Sequence, residues 1–354
     1  MNKTFISLLL ICSIFIFPSF RILYFNSCIS NSNPSSDCLI NNNLDSPSLP
    51  YTSCTIFTVE YNSTIYFASS EDESGQRKNT RFWFVPATEE GDYGAVYFGF
   101  WDNLPGGNDI DGLAIGGMNS QGLCFDANGV MPPVYVISNQ SGPPRGSISN
   151  WKQILQECAT VEEVIQWHFS HNMCGWWGNQ IHWADATGDA VVISAGQNNQ
   201  VAFTRKNSDY LISTNFNLDN YSHGYYPCAR YSTVKDNLDF YMQQNEITEK
   251  IIQKILNLVQ LVGTSDYIGT VYSYIFYPKT LDVVLYVLRD YEHPVRFNLQ
   301  EELLKGEREV RIQTDLHSSF YTSSAKIPGF DLFLLYPLVI FLLFPLVKNR
   351  KKQK

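Results

Sequence analysis

Runs of β-branched and aromatic residues recur in blocks along this chain, and their order constrains its fold most. CTIFTVEY and STIYFASS are separated only by Asn62 and Ser63, which predicts a hairpin beginning at Cys54. RFWFVP, AVYFGFW, GLAIGG and GLCFDA extend this block of strands. Helical sequence begins at Ser149, and Thr160 with Glu163 forms a capping-box pattern ahead of VEEVIQWHF.

Strands return after the helices, in QIHWADATGDAVVISA, QVAFTR and YLISTNF. Two further helices are predicted, over residues 229–243 and over EKIIQKILNLVQLV, and VYSYIFYP with DVVLYVL predicts a last hairpin. Blocks of strands separated by blocks of helices are typical of α+β proteins with largely antiparallel sheets, and not of doubly wound parallel sheets.

The two ends of the chain carry export and membrane signals. The apolar run over residues 5–20 follows a single lysine, which is typical of a signal peptide, although an uncleaved anchor helix is the alternative. Residues 330–347 are apolar except Asp331, long enough for one membrane span, and the basic KNRKK follows. We therefore expect a cell-membrane protein with an extracellular domain and a cytoplasmic tail.

These signals divide the chain into five zones. Residues 23–53 are rich in Asn, Ser and Pro and lack periodicity, so they are interpreted as a pro-segment or linker. The expected division is signal peptide 1–22, pro-segment 23–53, globular domain 54–315, stalk 316–327, and an anchor segment 328–354 that contains the membrane helix and basic tail.

Charge and composition exclude several classes of function. The chain has 25 basic and 34 acidic side chains, a net charge of -9 that argues against nucleic acid as a partner. The sequence contains no G-x-S-x-G, H-E-x-x-H or phosphate-binding loop. His168, His171, Cys174 and His182 approach metal-ligand spacing but do not form a standard zinc pattern, so we expect neither metal nor cofactor.

The cysteines leave two alternatives open. Of eight, three precede the globular domain, and five lie within it: Cys54, Cys124, Cys158, Cys174 and Cys228. If Cys54 is free, the other four allow up to two disulfides outside the cell, or they are buried thiols.

Five stretches carry a family resemblance, in the same order as in that family. They are SCTIFTVEYNSTIYFASSEDESG, GGMNSQGLCFD, HWADATGDAVVI, YLISTNF and YPCARYSTV. Together they resemble the N-terminal-nucleophile hydrolases that include choloylglycine hydrolases and penicillin V acylases. The resemblance implies a four-layer αββα sandwich. A separate resemblance, of Pro328-Gly329-Phe330 before the apolar run, is to archaeal C-terminal sorting signals.

The first resemblance implies a catalytic role for Cys54. Once the preceding residues are removed, its thiol is the nucleophile and its own α-amine is the base. Asp72 would orient that amine or the thiol. The alternatives are a structural or disulfide cysteine at position 54, and a solvated loop acid at position 72.

Three further residues are implied to complete the site. Asn215 would stabilise the oxyanion, Asn128 is a looser match to a second donor, and Arg230 would lower the thiol pKa or hold the carboxylate. The alternatives are a turn at Asn215, a turn at Asn128-Gly129 and a surface ion pair at Arg230. The family's choloylglycine hydrolases carry an Arg three residues before the Asp, where this chain has Ser69, which counts against a bile-salt-like substrate.

The expected function is therefore hydrolysis of a linear amide of a small molecule through an acyl-cysteine, without a cofactor. An acyltransferase using the same intermediate, a dipeptidase of a related branch, and a non-catalytic binding protein on the same fold are the alternatives. The sequence leaves open whether the chain forms a homo-oligomer.

Overall fold

The fold is described from a computed structural model, which covers residues 54–74, 80–89, 91–100, 114–137, 150–264, 267–312 and 316. The described residues form fifteen strands and five helices. The helices are α1 (Asn150–Glu157), α2 (Val161–Ser170), α3 (Ala229–Gln243), α4 (Glu249–Val259) and α5 (Leu299–Leu303). The strands are β1 (Thr55–Tyr61), β2 (Thr64–Ser74), β3 (Thr80–Val85), β4 (Ala95–Phe100), β5 (Ala114–Asn119), β6 (Cys124–Val136), β7 (Gly175–Ala184), β8 (Ala190–Ala195), β9 (Val201–Arg205), β10 (Tyr210–Ser213), β11 (Val262–Thr264), β12 (Tyr267–Tyr277), β13 (Asp282–Val287), β14 (Val295–Asn298) and β15 (Arg308–Arg311).

The strands form two antiparallel sheets. Sheet A has seven strands in the order β10-β1-β2-β12-β13-β14, with β11 paired to β12. Sheet B has eight strands in the order β15-β3-β4-β5-β6-β7-β8-β9. The strand that follows Cys54 therefore lies inside sheet A, between β10 and β2.

Three hydrophobic clusters define four layers. Ile56 and Phe67 of sheet A pack with Phe82 and Phe98 of sheet B in the central cluster. The outer face of sheet A packs on α3 and α4, and the outer face of sheet B packs on α1 and α2. Because residues on a strand alternate between its faces, each sheet presents one face to its partner sheet and one to helices. The expected αββα sandwich with antiparallel sheets is confirmed.

Local predictions are confirmed in most elements. Thr160 caps α2, accepting a hydrogen bond from the Glu163 backbone while the Glu163 carboxylate accepts one from the Thr160 backbone. The predicted hairpins correspond to β1-β2 and β12-β13. The sequence analysis missed α5, β11, β14 and β15, which are too short to show periodicity. The helix predicted over EKIIQKILNLVQLV ends at Val259, and its last predicted residue, Val262, begins β11 instead.

Two local predictions are corrected. Asn128-Gly129 does not form a turn, because both residues lie within β6 and pair with β7. The acidic stretch after STIYFASS is not a loop up to Ser74, because β2 continues through it to pair with β12.

Among the residues described, no helix is long and apolar enough to cross a membrane. The predicted signal peptide, pro-segment and C-terminal anchor lie outside the described residues.

Candidate active site

Cys54 lies immediately before β1, and its side chain is buried between the two sheets. The next residue along the same face, Ile56, belongs to the central core, so the alternation along β1 directs the Cys54 thiol to that core as well. The thiol donates a hydrogen bond to Glu71 Oε2 over 3.0 Å. Burial, followed by the charges of Glu71 and Asp72, raises the pKa of this thiol well above its usual value.

Arg230, at the start of α3, donates hydrogen bonds to two other sequence-predicted residues, Cys54 and Asn215, and to Thr55. Its Nη1 donates to the Cys54 backbone oxygen at 2.7 Å and to Thr55 Oγ1 at 2.8 Å. Its Nη2 donates to Asn215 Oδ1 at 2.7 Å. The alternative interpretation of Arg230 as a surface ion pair is therefore wrong, because this guanidinium bridges the helix layer to the beginning of β1.

Asn215 follows the end of β10 and is held in one orientation. Arg230 donates to Oδ1, which identifies the oxygen of the amide. The amide nitrogen, Nδ2, donates to the Gly129 backbone oxygen at 2.8 Å. The side chain thus spans from α3 to β6 of sheet B. Its nitrogen lies at the junction of the two sheets, where an oxyanion donor would be needed.

Asp72 is fully buried on the opposite face of β2 from Glu71. Phe67 belongs to the central core and Ala68 to the helix-facing core, so Asp72 faces the helices. Its Oδ1 accepts a hydrogen bond from Thr270, and its Oδ2 lies 3.8 Å from Arg230 Nη1. Asp72 is therefore not a solvated loop acid. Its position favours the Cys54 backbone nitrogen over the thiol as a partner.

Burial sets the charge state of Asp72. The loss of solvation raises its pKa to about 7, although Arg230 and the Thr270 hydrogen bond oppose this shift. Its Oδ2 accepts no hydrogen bond from the described part of the chain. Such a buried acceptor has room for one more donor, for which a charged amine is well suited.

Asn128 lies on β6 with its side chain fully buried, and the structure gives its amide no hydrogen-bond partner among the described residues. It is two residues from Asp126, whose side chain contacts Tyr274 of sheet A, so both side chains face the space between the sheets. A buried, unpaired amide costs about 1–3 kcal/mol. That cost is offset if a substrate oxygen accepts from it.

Gln180 is a residue that the sequence analysis missed. It pairs with Asn128 across β6 and β7 and points to the same face. Its Nε2 donates to the backbone oxygens of Thr214 and Phe216, both at 2.7 Å, and its Oε1 accepts from the Leu218 backbone at 3.2 Å. Gln180 thereby fixes the backbone on both sides of Asn215.

A connected set of buried acids was also missed. Glu71 Oε1 lies 3.4 Å from Ser69 Oγ, and the Glu71 carboxyl is hydrogen-bonded to Asp126. Asp126 accepts hydrogen bonds from the Tyr274 hydroxyl and from the Ala127 backbone. Burial raises the pKa of Asp126 to about 6 and that of Glu71 well above its ordinary value, the latter with the help of Asp126.

The histidine and cysteine pattern has other contacts. His168 Nδ1 contacts the Val164 backbone oxygen, and His171 stacks on Trp167 with ring centroids 3.6 Å apart. Cys174 is disulfide-bonded, whereas Cys54, Cys124, Cys158 and Cys228 are free thiols. Of the four cysteines left undecided by the sequence, three are therefore thiols.

Two antiparallel sheets between helical layers, with a cysteine leading into an inner strand, define the N-terminal-nucleophile class of fold. Residues 62–290 match the model of the family described as acyl-coenzyme A:6-aminopenicillanic acid acyl-transferase. The chain belongs to this family.

Two solved structures share this fold at low sequence identity. Two substituted forms of conjugated bile acid hydrolase from Clostridium perfringens are 15% and 14% identical, with TM-scores of 0.53 and 0.54. Each match covers 73% of this chain and 96% of that one. Penicillin V acylase from Agrobacterium tumefaciens is 12% identical, with a TM-score of 0.47 over 70% of this chain and 86% of that one. No curated protein matches the chain by sequence.

Proposed function

We propose that this protein hydrolyses linear amides of small molecules through an acyl-cysteine at Cys54. The observation that carries the proposal is the convergence of four groups on one residue: the Arg230 guanidinium contacts the Cys54 backbone, Asn215 and Thr55, and lies beside Asp72. Membership of an acyltransferase family supports acyl transfer as the reaction type. Transfer of the acyl group to water is hydrolysis.

The reaction needs Cys54 to be the first residue of the working protein. Its α-amine then takes the thiol proton, and the sulfur attacks the substrate carbonyl carbon. The carbonyl electron pair moves to oxygen, where Asn215 and Asn128 donate hydrogen bonds. The C–N bond then breaks, the proton passes to the leaving amine, and water hydrolyses the thioester.

Asp72 and Arg230 act as positioning residues in this scheme. The unsatisfied Oδ2 of Asp72 accepts from the α-amine, and Arg230 holds the Cys54 carbonyl, so the amine and the thiol keep a fixed relation. Arg230 also fixes which end of the Asn215 amide faces the oxyanion. One guanidinium thus couples the nucleophile to its oxyanion donor.

An aromatic cluster that adjoins Asn215 and Arg230 along the chain supports an apolar or aromatic acyl group. Phe216 and Tyr231 each follow a site residue in sequence, and their ring centroids are 5.2 Å apart. Tyr221 and Tyr226 pack on Phe216 and are about half exposed. Ser69, fully buried, stands where a bile-salt hydrolase would carry an arginine, so we do not propose a bile-salt substrate.

The experiment uses the full chain and a panel of 4-nitroanilides carrying phenylacetyl and fatty-acyl groups. Wild-type protein should release nitroaniline, and intact mass should show the acyl group on Cys54. Cys54→Ala should abolish both signals. Cys158→Ala is the matched control, because it removes another buried free thiol, on the far side of sheet B. Full activity in protein that still carries Ser53 would refute the N-terminal-nucleophile mechanism.

A further inference from the structure

One carboxyl group contacts the nucleophile and has no part in the hydrolysis proposed above. Glu71 Oε2 lies 3.0 Å from the Cys54 sulfur, and the two residues expose only 1% and 3% of their surface. Water is therefore excluded from most of this contact. The carboxyl is the acceptor in the hydrogen bond, which is the geometry of a base beside an acid.

The uncleaved chain lacks the base that the mature enzyme would use. While Ser53 is attached, the Cys54 nitrogen is an amide nitrogen and is not basic. Burial and nearby carboxylates raise the thiol pKa, so the thiol holds its proton at neutral pH. A thiol that is to attack the Ser53 carbonyl must lose that proton to some other group.

We propose that Glu71 is the base for self-cleavage of the Ser53–Cys54 bond. This inference rests on the proposed function, because it takes Cys54 as the nucleophile. The Glu71 carboxylate takes the thiol proton, the sulfur bonds to the Ser53 carbonyl carbon, and the carbonyl electron pair moves to oxygen. Collapse breaks the C–N bond, and Glu71 returns the proton to the departing nitrogen. Water then hydrolyses the thioester, which frees the thiol beside a new α-amine.

The strand geometry assigns this role to Glu71 and not to Asp72. The two are adjacent on β2 and face opposite sides, so Glu71 shares the inter-sheet face with the thiol while Asp72 faces Arg230. The two carboxyls therefore have different roles: Glu71 takes the thiol proton before cleavage, and Asp72 accepts a hydrogen bond from the α-amine after cleavage.

The surroundings of Glu71 suit a base. The groups that face it are the Cys54 thiol, Ser69 and Asp126, and Asp126 is itself hydrogen-bonded to Tyr274. No cation lies among these contacts. Burial and Asp126 raise the Glu71 pKa, so the ionised fraction of Glu71 is smaller than for an exposed glutamate. That ionised fraction takes the thiol proton, and its raised pKa makes it a stronger base.

The test measures self-cleavage in the full chain, made by cell-free translation and followed by intact mass. Wild-type protein should lose residues 1–53, and hydroxylamine should speed the loss by attacking the thioester. Glu71→Gln keeps the size and removes the base, so cleavage should slow by ~10²-fold or more. Glu71→Asp keeps a carboxylate on a shorter arm and should slow cleavage less. Glu60→Gln, on neighbouring β1, makes the same change away from the thiol and should cleave as wild type.

A second arm separates this inference from the proposed hydrolysis. A recognition sequence for an added protease is placed directly before Cys54 in the full chain, so that cutting supplies the α-amine. Once cut, Glu71→Gln has the α-amine as its base. The fall in its nitroanilide hydrolysis rate relative to wild type should therefore be at least tenfold smaller than the fall in its self-cleavage rate. If Glu71→Gln cleaves itself at the wild-type rate, or wild type does not cleave itself, the inference is wrong. If cut wild type lacks hydrolysis while Glu71 still controls cleavage, the proposed function fails alone.

Discussion

The orientation of one amide decides whether the site can stabilise an oxyanion. Asn215 is held at both ends, by Arg230 on its oxygen and by the Gly129 carbonyl on its nitrogen. A donor fixed before substrate arrives costs no reorganisation during the reaction, which is why such donors contribute strongly to catalysis. Asn215 is therefore the residue whose side chain should matter most after Cys54.

Asn215→Ala should lower kcat by ~10²-fold or more and change KM little, because the lost hydrogen bond strengthens only as charge develops. Steady-state nitroanilide hydrolysis by cleaved full chain measures both constants. Asn237→Ala, in the middle of α3, is the matched control and should behave as wild type. An unchanged kcat for Asn215→Ala would return this residue to the role of turn former.

At the scale of elements, the sequence predicted the strands well and the buried polar face poorly. The block order predicted an α+β fold with antiparallel sheets, because hydrophobic periodicity reports burial directly, and the family resemblance implied the αββα layers. It also placed Asn128-Gly129 in a turn as one alternative, because that dipeptide is a frequent turn signal. Pairing of β6 with β7 overrides this local preference.

The polar residues between the sheets, several of them missed, share a pattern that the sequence does contain. Ser69 with Glu71, Asp126 with Asn128, and Gln180 with His182 are polar pairs at positions i and i+2 of β2, β6 and β7. Each pair occupies one face, here the face between the sheets. The sequence alone cannot tell that three separate strands place these pairs opposite Cys54, since that depends on long-range strand order.

Gln180 shows how one strand supports the site on another element. Gln180→Leu leaves the Thr214 and Phe216 carbonyls without their donor in a buried region, so the free energy of unfolding should fall by about 2–4 kcal/mol. The displaced Asn215 should lower kcat by ~10-fold to 10²-fold. Urea unfolding and nitroanilide kinetics measure the two effects. Gln166→Leu, on the exposed side of α2, should show neither, and equal effects in both variants would contradict the assignment.

At the scale of the whole molecule, the space between the sheets links stability to pH. His182 hydrogen-bonds to Thr58 and Ser213 of sheet A, and burial lowers its pKa to about 3. Its contribution to stability is present above its unfolded pKa, about 6.5, and is lost as pH falls towards 3. The contribution of the buried acids to stability changes with pH in the opposite direction: it is lost as pH rises, because burial raises their pKa values.

Asp72 isolates one of these opposing contributions. Its folded pKa of about 7 exceeds its unfolded value of 3.8, so its contribution to stability is fully present below pH 3.8 and is lost as pH rises to about 7. Asp72→Asn cannot ionise, and its stability relative to wild type should therefore rise between pH 4 and pH 8, by up to about 4 kcal/mol. The same variant should lose activity, since it no longer holds the α-amine as a charged acceptor would.

Thermal unfolding of wild type, Asp72→Asn and Glu60→Gln at several pH values between 4 and 8 measures this difference. The contributions of Asp126 and His182 are common to all three proteins and cancel in the comparison. The Asp72 charge also raises the pKa of Glu71, so that part of the Glu71 contribution is removed together with Asp72. Glu60→Gln should track wild type, because Glu60 is partly exposed and the ion pair with Lys206 that it loses contributes little. If the gap between Asp72→Asn and wild type stays constant with pH, Asp72 is ionised throughout this range in the folded protein. The effect of the Arg230 charge on the Asp72 pKa would then exceed the effect of burial. In that case the Asp72 carboxylate would stabilise the fold at neutral pH and not destabilise it.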